Sequence, residues 1–238
     1  MLRYAITDRT QLGAQEAVRR AFLLACVARW ATLGIDFIQL REKDLPAAEL
    51  LSLTRDVRAI LRAHSSPTKL LLNAQPRLAL EAAASIEYLI DGLHLSANHT
   101  IPVSEARQLL AASPTFARRS SLLSISCHTP EEVQAAARDG VDLILFGPIF
   151  GKSIRIPDSP APDNPESTYR TVTPPTGLDP LRSACILAGQ TPVLALGGIT
   201  PANTALCLQA GAAGIAGIRL FQQPDATVAA VPQPAPNP

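Results

Sequence analysis

Apolar residues fall along this chain in two alternating rhythms. Short strand-like runs occur at 2–7 (LRYAIT), 36–40 (DFIQL), 69–72 (KLLL), 91–95 (DGLHL), 122–126 (LLSIS), 141–146 (VDLILF), 192–196 (PVLAL) and 213–216 (AGIA). Amphipathic segments with helical spacing lie between them, at about 14–32, 46–64, 77–85, 103–112, 130–139, 177–188 and 201–210. Pro46, Pro102, Pro130 and Pro201 stand where helices should begin, a position at which a missing N–H costs little. Gly34, Gly140 and Gly211 stand where helices should end. Thr129, followed by Pro130, Glu131 and Glu132, reads as an N-cap with an acidic first turn.

Eight strand–helix units predict an α/β chain folded as a single-domain (β/α)8 TIM barrel over residues 1–231. A doubly wound open sheet is the alternative. The eighth helix is poor, because Pro224 interrupts it and only 225–231 remains. Residues 151–176 hold six prolines and little apolar content, and read as one long, extended loop after the sixth strand. Residues 232–238 (PQPAPNP) read as a disordered Pro-rich tail.

Polar side chains mark the ends of the expected strands. In DFIQLREKD, Gln39, Arg41 and Lys43 lie two apart, so extended chain points all three the same way. In a barrel that direction is the pocket at the carboxyl ends of the strands, and two cations with an amide suit a polyanion such as pyrophosphate. The competing reading has Arg41 and Lys43 solvated and paired with Glu42 and Asp44. The third strand ends in Asn73, the fourth in His94 and Ser96, and the fifth gives Ser124, Ser126 and His128 at period two. The sixth runs into FGPIFGKS, with Gly147, Gly151 and the cation Lys152. The last two strands run into Gly197 and Gly198, and into Gly217, Ile218 and Arg219. Loops at these places hold a phosphate through backbone N–H groups in many barrels; the alternative is a pair of tight turns.

Composition narrows the class without naming a substrate. The chain of 238 residues suits one large barrel or two small domains. A net charge of +1 gives no electrostatic case for nucleic acid or an anionic membrane. No apolar run approaches the ~18 residues of a spanning helix, and MLRYAITDRT turns polar too early for a signal peptide. Cys26, Cys127, Cys185 and Cys207 are far apart, which fits a reduced cytoplasmic setting with no zinc site and no disulfide frame. Alternation turns Cys127 away from the barrel axis, as buried filler rather than a nucleophile.

The blocks YAITD, DFIQLREKD, LLN at 71–73, DGLHL, SISCHTPEE, VDLILFGPIF, LALGGIT and GAAGIAGI, in this order, resemble the thiamine phosphate synthase family, including its TenI-like branch. The resemblance implies a (β/α)8 fold and a place in thiamine biosynthesis, with phosphorylated pyrimidine and thiazole molecules as partners. In the synthase, a pyrimidine methyl diphosphate loses pyrophosphate with Mg²⁺ assistance, and the nitrogen of a thiazole phosphate attacks the resulting cation. By resemblance Gln39, Arg41, Lys43, Asn73 and Ser126, with Lys152, would hold the diphosphate. Gly197, Gly198, Gly217, Ile218 and Arg219 would surround the thiazole phosphate, and His128, Ser126 and Lys43 are the candidate catalytic residues.

The chain departs from the synthase pattern where metal is held. Ala74 replaces the Asp that follows the strand-3 Asn, and His99 aligns with a second metal-binding Asp. Neither is a good ligand for Mg²⁺, so no metal ligand is assigned. Asp91 starts its strand and so belongs to the wrong end; Asp158 or Asp163 on the long loop could supply a carboxylate. After GPIF the order Gly151, Lys152, Ser153 keeps a cation but loses the usual hydroxyl pattern. These losses bring in a second expectation, a metal-free TenI-like thiazole tautomerase acting on thiazole phosphate carboxylate with His128 as acid/base. The retained Gln39 and Lys43 speak for the synthase. A non-catalytic binder of thiamine intermediates is the third. Oligomeric state is left open, a homo-oligomer included.

Overall fold

The computed structural model describes residues 1–73, 89–99, 101–112, 121–155 and 169–223. The strands in chain order are β1 (Leu2–Ile6), β2 (Phe37–Leu40), β3 (Lys69–Leu72), β4 (Gly92–Leu95), β5 (Leu122–Cys127), β6 (Leu143–Phe146), β7 (Lys152–Arg155), β8 (Tyr169–Thr173), β9 (Val193–Leu196) and β10 (Gly214–Gly217). Eight of them, β1–β6 with β9 and β10, close into a parallel barrel. Closure is made by β10 against β1, with Leu2 opposite Gly214 and Ala5 opposite Gly217. The open-sheet alternative is thereby excluded.

Described helices run over Glu16–Thr32, Ala47–Ala63, Val103–Ala112, Pro130–Arg138, Leu178–Leu187, Thr204–Gln209 and Arg219–Gln222. The expected helices at 77–85 and 225–231, the domain limit at 231 and the tail 232–238 lie outside the described residues. No helix among the described residues is long and apolar enough to cross a membrane.

Period two sorts the strand residues into two apolar layers. Tyr4, Ile6, Leu71, Leu143, Leu145, Leu194 and Ala216 fill the barrel interior. Ala5, Leu70, Leu72, Ile144 and Phe146 face outward and pack in the same cluster as the helix residues Trp30, Leu53, Val57 and Leu61. Cys127 lies in this outer layer, as alternation requires, and burial pushes its thiol up to about 12.

Helix boundaries follow local chemistry. Thr129 Oγ1 accepts from Glu132 N at 3.2 Å while Glu132 Oε2 accepts from Thr129 N at 3.3 Å, a reciprocal cap on Pro130–Arg138. Pro201, in contrast, does not begin a helix. Asn203 Oδ1 accepts from Thr200 N at 2.8 Å and holds 201–203 as a turn, so the helix starts at Thr204. The long connection after β6 is present, but it is not all loop. Its two flanks pair antiparallel as β7 and β8, with Ile154 opposite Arg170 and Arg155 opposite Tyr169. The six prolines of the segment all lie outside the two strands, so the ladder loses no N–H.

The amino end of the barrel is tied by three equivalent carboxylates. Asp36, Asp91 and Asp142 each stand one residue before an even-numbered strand. Each accepts the N–H of a neighbouring strand: Arg3 at 2.8 Å, Leu70 at 2.8 Å and Leu123 at 2.7 Å. Arginines neutralise them, Arg58 with Asp91 at 2.6 Å and Arg107 with Asp142 at 2.6 Å, and Arg3 with Asp36 at a looser 3.9 Å. Asp91 is therefore a structural acid of this end, as its position at the strand start implies.

Asp91 and its arginine are about one-tenth exposed, whereas the Asp36 side chain is 36% exposed. Replacing Asp91 with Ala leaves Arg58 and the Leu70 N–H without this carboxylate at a site water barely reaches, and is expected to cost about 2–4 kcal/mol. Asp36→Ala should cost about 1 kcal/mol. Urea unfolding of both variants checks the order; equal losses would show that burial does not set the value of these ties.

Candidate active site

Above the apolar plug, at the carboxyl ends of the strands, lies a cavity of about 340 Å³. Gln39, Arg41, Lys43, Asn73, Ser126, His128 and Ile218 all line it, together with Ile6, His94, Ser96, Ala97, Asn98 and Leu196. With His94 and Ser96, nine of the residues singled out from the sequence thus meet around one space.

Gly197, Gly198, Gly217 and Arg219 are not in the lining; they adjoin Leu196 and Ile218, which are. The two turns they form have a reason of their own. Gly197 and Gly198 have φ of +95° and +66°, and a Cβ on either would come within 2.7 Å of Pro148 or Phe150. Only glycine lets the end of β9 pass under the start of the long connection. For Lys152 the structure describes the backbone position at the start of β7 and not the side chain.

The alternation read in DFIQLREKD continues past the strand, and a residue 33 positions before Glu42 explains why. Arg9, 3% exposed, sits in the 3-10 turn Arg9–Gln11 after β1. Its guanidinium donates to Glu42 at 3.1 Å, to both oxygens of Asp44 at 2.7 and 3.0 Å, and to Glu16 at 2.7 Å. The Arg9 backbone N–H adds a bond to Glu42, and the Thr7 hydroxyl accepts from the Arg41 N–H at 2.9 Å. These bonds hold the Asp44 carboxyl below its ordinary range. Arg9 therefore takes up the two acids that could have quenched Arg41 and Lys43. No ion pair of Arg41 or Lys43 is found among the described residues. The alternative of solvated pairs with Glu42 and Asp44 does not hold.

Two histidines border the cavity in different states. His94 is buried, with Nδ1 2.8 Å from Ser124 Oγ and Nε2 3.0 Å from Ser126 Oγ. Burial, and then the nearby charge of Arg41, push it down from 6.5 to about 3, so it is neutral at working pH. His128 is exposed at the rim, where its Nδ1 donates to the Gly147 carbonyl. Its backbone N–H donates to Glu132 Oε2 at 2.6 Å, so the helix cap also fixes this residue.

Mg²⁺ takes hard oxygen ligands, carboxylates foremost. No Asp or Glu is among the described residues lining the cavity, and no group of three His, Cys, Asp or Glu that could hold a metal occurs among the described residues. His99 bonds through Nδ1 to the Ser96 carbonyl at 3.1 Å and lines a neighbouring cavity of about 250 Å³ instead. Ala74, Asp158 and Asp163 lie outside the described residues. The described residues do not fit a carboxylate-held Mg²⁺.

Fold and cavity together define a class: a parallel (β/α)8 barrel with a cation-bearing basin at its carboxyl face. A model of the thiamine monophosphate synthase family matches residues 3–221, and the chain belongs to that family. It is 36% identical over 213 residues to a putative thiamine-phosphate synthase of Geobacter sulfurreducens, covering 90% of this chain and 83% of that protein. It is 33% identical over 213 residues to a thiamine-phosphate synthase of Roseiflexus castenholzii, covering 90% and 77%. The fold is that of a thiamine phosphate pyrophosphorylase from Pyrococcus furiosus, with a TM-score of 0.68, 22% identity and coverage of 97% and 92%.

Reading the sequence alone misses Arg9, whose partners are far away in the chain, and leaves Ile6, Ala97, Asn98 and Leu196 unmarked as lining. Arg9→Met leaves Glu42 buried without its cation and should cost about 3–5 kcal/mol. Adding Glu42→Leu should recover most of that loss, which chemical denaturation of the single and double variants measures. His94 gives a pH signature. Its folded pKa of about 3 lies below the 6.5 of the free side chain, so the unfolded chain binds the proton more tightly. The stability this histidine contributes is full above 6.5 and drains away as pH falls toward 3. His94→Gln should flatten the fall of the urea midpoint across that window; an unchanged slope would mean that His94 is protonated in the fold.

Proposed function

We propose that the chain is a thiamine-phosphate synthase, joining a pyrimidine methyl diphosphate to a thiazole phosphate with release of pyrophosphate. The observation that carries this reading is the pair Arg41 and Lys43, aimed into the cavity while Arg9 occupies their neighbouring acids. As the methylene C–O bond breaks, its electron pair goes to the diphosphate oxygen. Arg41 and Lys43 meet the charge that grows there, and Gln39, Asn73 and Ser126 donate to the remaining oxygens. The thiazole nitrogen gives its lone pair to the methylene carbon and becomes the thiazolium; no proton moves. The thiazole phosphate lies on the β9 and β10 side, beside Leu196 and Ile218, against the Gly197–Gly198 and Gly217–Arg219 turns.

A second reading, a metal-free tautomerase of thiazole phosphate carboxylate, is favoured by the lack of Asp or Glu among the described lining residues and by His128, whose Nδ1 is tied to the Gly147 carbonyl and whose Nε2 remains to take and return a proton.

Incubation with both synthase substrates, with and without Mg²⁺, separates the readings. Thiamine phosphate and pyrophosphate should form, and Arg41→Ala should lower kcat/KM about 10²–10³-fold. No product at millimolar Mg²⁺ sinks the synthase. Isomerisation of thiazole phosphate carboxylate, lost in His128→Asn, would establish the tautomerase in its place. Binding of thiazole phosphate with neither turnover would leave a binder.

A further inference from the structure

Four polar side chains form a line from the barrel interior to the cavity. Tyr4 OH lies 3.2 Å from Ser124 Oγ, Ser124 Oγ 2.8 Å from His94 Nδ1, and His94 Nε2 3.0 Å from Ser126 Oγ. Tyr4 and Ser124 are fully buried, His94 is 2% exposed, and Ser126 alone of the four hydrogen-bonding groups is half-buried and borders the cavity with its neighbour His94.

Hydrogen counting gives the line a direction. The neutral imidazole carries one N–H and each hydroxyl one O–H, so four hydrogens serve the three short contacts; a fourth contact, Tyr4 OH to His94 Nδ1 at 3.5 Å, lies at the limit of a useful bond and runs the same way when Tyr4 donates. Running outward, Tyr4 donates to Ser124, Ser124 to Nδ1 and Nε2–H to Ser126, and the fourth hydrogen is the Ser126 O–H at the cavity. Running inward, the surplus hydrogen is that of Tyr4, in the apolar interior. Burial also holds the Tyr4 hydroxyl protonated far above working pH, so it cannot serve as an anionic acceptor. A mixed arrangement would send the Ser124 hydrogen to the Leu93 carbonyl at 3.5 Å, the limit of a useful bond. An unpaired buried donor costs about 1–3 kcal/mol, enough to set the direction.

We infer that Tyr4, Ser124 and His94 are positioning residues that force Ser126 to present its hydroxyl hydrogen to the cavity, as a fixed donor to a phosphoryl oxygen of the ligand. The donor is set before the ligand arrives, and the buried chain needs no rearrangement when charge develops beside it. The ligand's identity as a phosphorylated molecule rests on the synthase reading; the direction of the chain does not.

The test has two arms. In ¹⁵N NMR of histidine-labelled protein, with the His94 signals assigned by their loss in His94→Gln, Nε2 should be the protonated nitrogen and Nδ1 the bare one. A protonated Nδ1 overturns the inference. In titrations with inorganic pyrophosphate, Ser126→Ala should weaken binding about tenfold or more. His94→Leu should match it, and His94→Gln, whose amide N–H can still reach Ser126, should keep most of the affinity. Tyr4→Phe should weaken binding about two- to fivefold alone and have no further effect in the Ser126→Ala background. Losses that multiply in the double variant would mean that Tyr4 acts only through packing, and would overturn the chain. Failure of the unaltered protein to bind pyrophosphate would sink the polyanion reading, while the His94 tautomer still decides the direction of the chain.

Discussion

Closing eight parallel strands on themselves leaves no sheet edge and makes every second side chain of every strand share one narrow axis. Near the amino end that axis is filled with Tyr4, Leu71, Leu143 and Leu194, which require nothing of one another but volume. Toward the carboxyl end the inward positions become Gln39, Asn73, His94 and Ser126, which cannot pack as a hydrocarbon and must bond to each other or face a ligand. The change of character along a single axis is what makes one end a plug and the other a basin. The three aspartates at the amino end act on the same constraint: they satisfy strand N–H groups there, and the carboxyl end keeps its polar groups for other uses.

Charge is sorted by the same alternation. In the stretch from Gln39 to Asp44, the odd positions enter the basin while Glu42 and Asp44 turn toward Arg9 after β1, so acids and bases adjacent in sequence are separated in space. Arg9 completes the separation. Its planar fork makes four N–H bonds to three carboxylates, two of them to the paired oxygens of Asp44, more than the three donors of a lysine ammonium allow. The result is a basin whose described lining carries two cations and no acid.

The strands, most helices and the shared basin were legible because each depends on spacing along a single segment. Thr129 with Glu132 is the clearest case, a reciprocal bond three residues apart. The rest depended on chain segments brought together by closure. Arg9 looks like an ordinary polar loop residue, and nothing near it in the sequence announces Glu42 or Asp44. Asp36, Asp91 and Asp142 resemble turn acids until the neighbouring strand supplies its N–H. Dense prolines hid the β7–β8 ribbon, although Ile154, Thr171, Val172 and Thr173 favour extended chain. His99 aligned with a metal ligand, yet it faces the adjacent cavity, an orientation no spacing argument supplies.

His94 and His128 show how position in the barrel, rather than residue type, assigns chemistry. Both are imidazoles at the ends of adjacent strands. His94 points inward below the rim, loses its water and is held neutral by burial and by Arg41, so it can pass on a hydrogen-bond direction but not carry charge. His128 stands one step higher, in water, with one nitrogen tied to a carbonyl and the other open to the basin. A synthase needs the first, because a leaving diphosphate wants donors that stay fixed. A tautomerase needs the second, because a proton must be taken up and returned. The fold holds both, and the two readings of this site therefore differ less in architecture than in which histidine the substrate engages.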